Sequence, residues 1–539
     1  MVLEPSGSHN RRVTADAERE TDGAAAGGPD GGGRLALRGA VTTSAWTLLS
    51  RGLGFVRDAL LTSHFGVGPL TGAFAIAWVV PNLFRRLLGE GAVGAAIQPA
   101  LARARVEHGE DAARTLYARF HGFLLLMLVG AALATEGVIL VLLLRADPAD
   151  RMALEFAAIL VPYMVPICLT ALMAAPQQMR GRYALPAMAP LVLNGALIAA
   201  LVGLEVFGRD LDGVVAMRWI CLTILIAGGC QWLLQLPGVR ASGYPLAPVL
   251  HAGDGSVRRT MKGFAPALLG LAAVQLNFAL DQLLVRLLVD DSANTYTYLA
   301  NRLLQLPLAL VAMAAATGTL PLFARLAAER RRREFDGVLE RTCETTLLLT
   351  VAAAAGLYAL ARPVVQVLFE HGNFTAEDTA MLTSTLRGYL WCLPAASMAS
   401  ILTRARQSHG DLRGPALAAV AGIPINLVLD LLLLPRFGVV GAGYATAAAL
   451  SVQALLLGVG LRGLEIGAPL RLVRLPRILA PGLAAGAVGG LAGHLLGDAA
   501  GTVAGLTLAV SSGVAFAVVL TAVLLPEDFR DLRNHLRRR

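Results

Sequence analysis

From residue 39 onward the chain is written as apolar runs close to the roughly 20 residues that a helix needs to cross a bilayer. Short polar loops separate them. The runs fall at about 39–65, 69–100, 117–145, 152–175, 184–207, 214–236, 262–289, 295–325, 341–369, 379–405, 412–434, 438–461, 474–496 and 501–525. About fourteen spanning helices predict an all-α fold, a polytopic membrane protein. The composition agrees. Of 539 residues 56% are hydrophobic and only 15% charged, where a soluble chain carries about a quarter charged. This excludes a soluble enzyme with an anchor, a secreted disulfide scaffold and a disordered protein.

Loop charge gives an independent reading. Loops after even-numbered runs are Arg-rich: Arg103, Arg105 and Arg114; Arg180 and Arg182; Arg240, Arg258 and Arg259; Arg330 to Arg333; Arg404, Arg406 and Arg413; Arg471, Arg474 and Arg477. Loops after odd-numbered runs are acidic: Asp147 and Asp150; Asp210 and Asp212; Asp290 and Asp291; Glu370, Glu377 and Asp378. Positive loops stay in the cytoplasm, so both termini are expected there. The formal charge of +9 is carried almost wholly by Arg, with Lys262 as the lone lysine. It reads as loop charge rather than as a nucleic-acid surface. The low aromatic share, 6%, also speaks against base stacking.

Residues 1–36 are Gly-, Ala- and charge-rich and read as a disordered cytoplasmic tail without the apolar core of a signal peptide. Residues 37–250 are expected to form an N-lobe of helices 1–6, and 251–462 a C-lobe of helices 7–12. Residues 463–539 hold two further helices and a basic cytoplasmic tail. The longest loop, around 237–261, reads as the linker between lobes. An internal echo supports two lobes: PAMAPLVLN (Pro186–Asn194) in the fifth run and PALAAVAGIPIN (Pro415–Asn426) in the eleventh. The cysteines at 168, 221, 230, 343 and 392 lack metal-ligand spacing and are expected to be buried, inert thiols.

Ionisable groups inside spanning runs are costly and normally face a wet cavity or a partner. One cluster is cationic: Arg51, Arg57 and Asp58 in SRGLGFVRDALL, Arg85, Arg86 and Glu90 in PNLFRRLLGEG, and Arg302 in YLANRLLQLP. Guanidinium forks suit phosphate, since they donate paired hydrogen bonds. Arginines near helix ends also snorkel to headgroups, which suits Arg51, Arg85 and Arg86 as well; Arg57 and Arg302 lie deeper. Asp58 and Glu90 read either as ligands or as ion-pair partners that orient the arginines. A second cluster is acidic: Asp281 in VQLNFALDQLLV, Asn426 and Asp430 on one face of PINLVLDLLLL, and Thr446 in GAGYATAAAL. This all-oxygen set suits Na⁺ or H⁺; bonding between helices would use the same residues. Gly52 and Gly54 lack the rest of a dinucleotide fingerprint. Gly438, Gly441 and Gly443 read as helix-packing contacts. No nucleophile, base or paired-carboxylate arrangement suggests an enzyme.

The stretch from Ser50 to Leu101 (SRGLGFVRDALLTSHFG…NLFRRLLGEGAVGAAIQPAL) closely resembles the opening of the MurJ/MviN family of lipid II flippases, within the multidrug, oligosaccharidyl-lipid and polysaccharide exporter superfamily. RYALPAMAPLVLN (Arg182–Asn194), the region with Gln275, Asn277, Asn301 and Arg302, TGTLPLFARL (Thr317–Leu326), LFEHGNFTAEDT (Leu368–Thr379) and ARQ…GP (Ala405–Pro415) continue the resemblance over roughly residues 40–460. The resemblance implies transport of lipid II, an undecaprenyl-pyrophosphate-linked disaccharide-pentapeptide, from the cytoplasmic to the periplasmic leaflet of the bacterial inner membrane. It implies a V-shaped cavity opening alternately to either side, in which Arg57, Arg85 and Arg302 hold the pyrophosphate and Arg51, Arg86 and Glu90 are further functional charges. Asp281, Asn426, Asp430 and Thr446 match a sodium site, with a backbone carbonyl from Ala442; Na⁺ is the one coupling ion implied and no other cofactor is expected. Membrane lipids, and cell-wall synthesis machinery, are the further partners it implies.

Two positions depart from the family: Gly72 and Asn301 stand where acids are frequent, which predicts a more cationic cavity. The ARQSHGDLRGP loop reads as longer than the family's turn. The rival reading is a flippase for another polyprenyl-pyrophosphate glycan, of the O-antigen kind. A multidrug–cation antiporter would need a cavity of the opposite charge.

Overall fold

A computed structural model describes residues 49–89, 92–208, 210–250, 255–309, 314–467 and 475–495, with a few isolated positions besides. Every regular element among the described residues is helical. The tail 1–36, Glu90, most of the run 501–525 and the basic C-terminus lie outside them.

Helix α1 covers residues 49–65. The second run is α2 (Pro69–Ala77), α3 (Val79–Phe84), a π-helical turn at Arg85–Gly89, and α4 (Ala92–His108). Then come α5 (Glu110–Leu143), α6 (Pro148–Leu160) with α7 (Met164–Met179), α8 (Ala184–Phe207) and α9 (Gly213–Ala241). The second half holds α10 (Gly255–Leu288), α11 (Ala293–Pro307), α12 (Ala314–Ala328), α13 (Arg332–Ala359), α14 (Ala361–Phe369), α15 (Ala376–Leu390), α16 (Cys392–Ser408), α17 (Arg413–Phe437), α18 (Val439–Gly460) and α19 (Leu475–Leu495).

Local chemistry explains the boundaries. The Asp212 carboxylate accepts from Val214 and Val215 N–H at 3.0 and 3.3 Å and starts α9. Thr375 and Asp378 cap α15 reciprocally. Gly438, at φ 58°, turns the chain between α17 and α18, so it is a turn residue rather than a packing contact. Gly441 and Gly443 do pack: a Cβ on either would meet the backbone of Leu433 or of Gly388 and Tyr389. The linker is shorter than predicted, because α9 continues through Ala241 and α10 begins at Gly255. Its Val249 N–H donates to the Ala118 carbonyl of α5 at 2.9 Å. The ARQSHGDLRGP segment is also compact, with only residues 409–412 between α16 and α17.

Seven described stretches are long and apolar enough to cross a bilayer outright: 110–143, 150–179, 184–207, 213–241, 332–359, 413–437 and 439–464. The second, ninth and tenth runs are interrupted, at Trp78 and the π turn, at Leu360 and at Trp391. A broken helix in hydrocarbon must have its freed carbonyls satisfied by protein. At the α13–α14 break Arg387 Nε donates to the Tyr358 carbonyl at 3.2 Å, its guanidinium 5.1 Å from that ring's centre.

Buried apolar side chains of the first half form one core, from Ala73 to Val257, around Tyr117, Phe120, Phe156 and Tyr163. A ladder of buried glutamines binds α7, α8 and α9: Gln177 donates to Gln235 (2.9 Å), Gln235 to the Leu185 carbonyl (3.1 Å) and Gln231 to the Ala189 carbonyl (2.7 Å). Membrane helices associate through such bonds. The second half has two clusters, around Phe369 and Tyr389 and around Phe323 and Phe335. Helix α19 seats Gly482, Gly486 and Gly490 against Val351, Ala355 and Ala359 of α13.

The halves meet along the loops that follow odd-numbered runs. Asn294 Nδ2 donates to the Gly72 carbonyl (3.0 Å), Asn373 N–H to Ser63 (2.8 Å) and Asn373 Nδ2 to His64 (2.6 Å). Arg286 pairs with Asp150 at 3.0 Å. Gly72 is therefore not a cavity position deprived of an acid. It is buried at this junction, where a Cβ would run into the Asp291 carbonyl.

Four cysteines are buried and Cys230 is exposed, correcting the expectation of five buried thiols. A lipid-permeant maleimide added to the folded protein is expected to label one thiol per chain, at Cys230, and mass spectrometry of the digested protein checks this. Labelling of Cys168 or Cys392 would contradict the packing.

Candidate functional site

The cationic cluster is organised around Asp58, 1% exposed. Ionising a carboxylate at such depth is costly unless it is paired and hydrogen-bonded, and here two arginines share it. Arg57, its neighbour on α1, donates from Nε at 2.9 Å and also pairs through Nη2. Arg302, from α11 in the other half, donates from Nε at 3.1 Å to the second oxygen. Arg57 Nη1 further donates to Asn194 Oδ1 (3.1 Å) on α8, and Nη2 to the Tyr298 hydroxyl (3.2 Å) on α11. Asn194 Nδ2 in turn donates to the Ser50 carbonyl at 2.9 Å. Arg302 lies 5.6 Å from the Phe55 ring centre, a cation–π distance. Gly54 makes room: a Cβ there would run into the Arg302 guanidinium.

Arg51 Nη1 donates to the Gln305 carbonyl at 3.4 Å, and Gln305 Nε2 donates to Asn301 Oδ1 at 2.6 Å. Asn301 thus binds along its own helix, and the counter-charge for Arg57 and Arg302 comes from Asp58. With two arginines on one carboxylate, the cluster keeps a net positive charge. Arg85 and Arg86 stand on the π-helical turn. Arg85 donates twice to Asn82 Oδ1, at 3.1 and 2.8 Å; Arg86 donates to Gln275 Oε1 at 3.3 Å and lies 5.3 Å from the Phe278 ring centre. Glu90 lies outside the described residues.

The acidic cluster assembles where α10, α17 and α18 meet. Asp281, Asn426 and Asp430 are 2%, 1% and 0% exposed. Asn426 Nδ2 donates to both Asp281 Oδ1 and Asp430 Oδ2, the latter at 2.9 Å. Thr446 Oγ1 makes contacts with Asp281 Oδ2 at 3.1 Å and the Ala442 carbonyl at 2.8 Å. Asn426 Oδ1 and Asp430 Oδ1 are buried without a hydrogen-bond partner, and such orphaned oxygens are rare in native interiors. Two carboxylates held together, with a hydroxyl, a carbonyl and spare oxygens around them, fit a hard monovalent cation such as Na⁺. Among the described residues no group of three or more His, Cys, Asp or Glu could hold another metal.

Sequence reasoning missed Tyr298 and Asn82 as polar neighbours of these clusters. Tyr298 had a signal, lying one helical turn before Arg302 and so on the same face. Asn194 and Asn426 had a better one: each closes its copy of the internal echo, and each anchors one polar cluster.

A bundle of membrane-crossing helices whose halves share a buried carboxylate between arginines, with a second, all-oxygen acid set in the second half, defines a multi-pass membrane transporter rather than an enzyme. The family model for the lipid II flippase MurJ matches residues 61–476. The chain is 32% identical over 425 residues to a probable lipid II flippase MurJ of Rhizobium meliloti, covering 77% of this chain and 78% of that one. It is 30% identical over 440 residues to a lipid II flippase MurJ of Burkholderia cenocepacia, covering 79% and 84%. The chain belongs to the lipid II flippase MurJ family. Solved structures agree in fold: a lipid II flippase MurJ in an inward closed conformation superposes with a TM-score of 0.73 at 21% identity, covering 91% of this chain and 99% of that one. An inward-facing multidrug-resistance MATE transporter does so at 0.64 and 13% identity, covering 79% and 97%. Arg51, Arg57 and Asp58 precede the matched family segment; Arg85, Arg86, Arg302 and the acidic cluster lie within it.

Proposed function

We propose that this chain carries lipid II across the bacterial inner membrane, from the cytoplasmic to the periplasmic leaflet, by alternating access. One observation carries the reading: arginines from both halves converge on a single buried carboxylate. A pyrophosphate offers more negative charge and more acceptor oxygens than Asp58, and guanidinium forks bind it in pairs. Arriving between the halves, it competes with Asp58 for Arg57 and Arg302 and so changes the contacts that hold α1 against α11. The polyprenyl tail stays in the bilayer. The two-lobe organisation is supported by separate apolar cores in the two halves.

The Arg-rich loops favour cytoplasmic termini. On that orientation, the junction of residues 63–72 with 291–294 and 372–373 closes the periplasmic side. The acidic cluster is proposed as a Na⁺ site, with Asp281, Asn426, Asp430 and Thr446 as ligands. A bound cation there supplies the positive charge that two adjacent carboxylates lack.

Growth of a bacterium depleted of its own lipid II flippase tests the transport reading. Wild type is expected to restore growth and to restore lipid II accessibility at the outer leaflet, while Arg57→Ala and Arg302→Ala restore neither. Rescue by the doubly substituted chain would overturn the role of these arginines. For the cation, NaCl is expected to raise the thermal midpoint of the purified protein against KCl at equal ionic strength. A ligand at a hundredfold excess over Kd stabilises by about 2.7 kcal/mol. Asp281→Asn is expected to lose that response.

A further inference from the structure

Tyr389 lies on α15, an element that supplies none of the four residues assigned to the cation site. It is 1% exposed, and its hydroxyl is buried with no hydrogen-bond partner. A phenol buried with its hydroxyl unpaired is unusual, since tyrosine in an interior normally finds a partner for that group. Two further orphaned oxygens, Asn426 Oδ1 and Asp430 Oδ1, belong to the acidic cluster. The Asp281 and Asp430 carboxyl groups lie within electrostatic reach of the phenol.

Small residues bring Tyr389 there. Helix α15 lies against α18 with Gly388 facing the Val440 backbone and Gly443 facing the backbone of Gly388 and Tyr389. A side chain at either glycine would push the helices apart. Gly443 follows Ala442, whose carbonyl bonds Thr446. The backbone of Tyr389 is therefore packed one residue from the site, and the three unpaired oxygens come from two helices, α15 and α17.

We infer that Tyr389 belongs to the cation site, its phenolic oxygen serving as a neutral ligand supplied by α15. This rests on the reading of the acidic cluster as a Na⁺ site and extends it. Cation occupancy thereby ties α15 to α10, α17 and α18. A neutral oxygen adds a ligand without adding charge, which suits a monovalent ion already facing two carboxylates. The hydroxyl has no other bond to lose, so replacing it leaves the cation-free protein intact.

The test compares wild type, Tyr389→Phe and Asp281→Asn as full-length purified proteins, following thermal midpoint as NaCl replaces KCl. In Tyr389→Phe the half-saturating NaCl concentration is expected to rise about tenfold, the lower end of what losing a supporting group costs a metal site. Its midpoint without Na⁺ is expected to equal or exceed that of wild type, because an unpaired buried hydroxyl has been removed. An unchanged half-saturation in Tyr389→Phe, alongside a lost response in Asp281→Asn, would overturn this inference and leave the site standing. A midpoint that collapses without Na⁺ would assign the hydroxyl a structural bond and overturn it too. A wild type indifferent to Na⁺ would sink the site and the inference together.

Discussion

Asp58→Ala is expected to abolish rescue of a flippase-depleted strain and to lower the thermal midpoint, although Asp58 is the one anion among the described members of a cluster built for an anionic substrate. The reason is electrostatic. Asp58 is the shared partner of Arg57 and Arg302, and stripping one partner from a buried ion pair costs about 3–5 kcal/mol. The lower end applies, because the two arginine side chains keep 14% and 26% of their exposure. Asp58→Asn keeps the shape and removes the charge, so it is expected to fall between. Adding Arg302→Gln to Asp58→Asn restores the original net charge of the cluster and is expected to regain much of the stability without regaining transport. A double-substitution cycle in thermal unfolding, beside the growth assay, separates the two effects. Full transport by Asp58→Ala would remove the shared carboxylate from the argument.

Gly72→Ala carries the second large effect, through geometry alone. The added methyl would meet the Asp291 carbonyl across the junction of the halves, and a backbone carbonyl cannot step aside as a flexible side chain can. Overpacking of this kind costs about 1–3 kcal/mol, and a bias of that size shifts a two-state equilibrium about 5–150-fold. Transport is expected to fail while the protein still folds, since the strain is relieved once the junction opens. Spin labels at Leu211 and Met381, both exposed and one in each half, report this after Cys230→Ser removes the reactive thiol. A distance distribution shifted to longer values is expected in Gly72→Ala. A distribution identical to that of Gly72 would show that the junction tolerates the methyl.

The fold was legible wherever a helix crosses unbroken, because an apolar run of spanning length is a demand of the solvent and needs no partner. The seven long stretches were all foreseen, the linker excepted at its margins. Breaks were not. Trp78, Leu360 and Trp391 sit in runs whose apolar character continues on both sides, so hydropathy passes over them. The charged members of the site were equally plain, because Arg57, Asp58, Asp281 and Asp430 stand out in hydrocarbon. Their pairing was hidden. Arg57 finds Asn194 137 residues away and Tyr298 241 residues away, and no local pattern encodes either meeting. Gly72 misled for a related reason: an absent acid looked like a change of cavity charge, whereas the position has no space for any side chain.

The strap between the halves has a mechanical corollary. Val249 is fastened to α5 through the Ala118 carbonyl, and α10 begins at Gly255. Only five backbone steps separate Leu250 from Gly255, a reach of at most about 18 Å even when fully extended. While that fastening holds, the start of α10 stays within that reach of the strap on α5, so the second half swings from a short leash rather than drifting free.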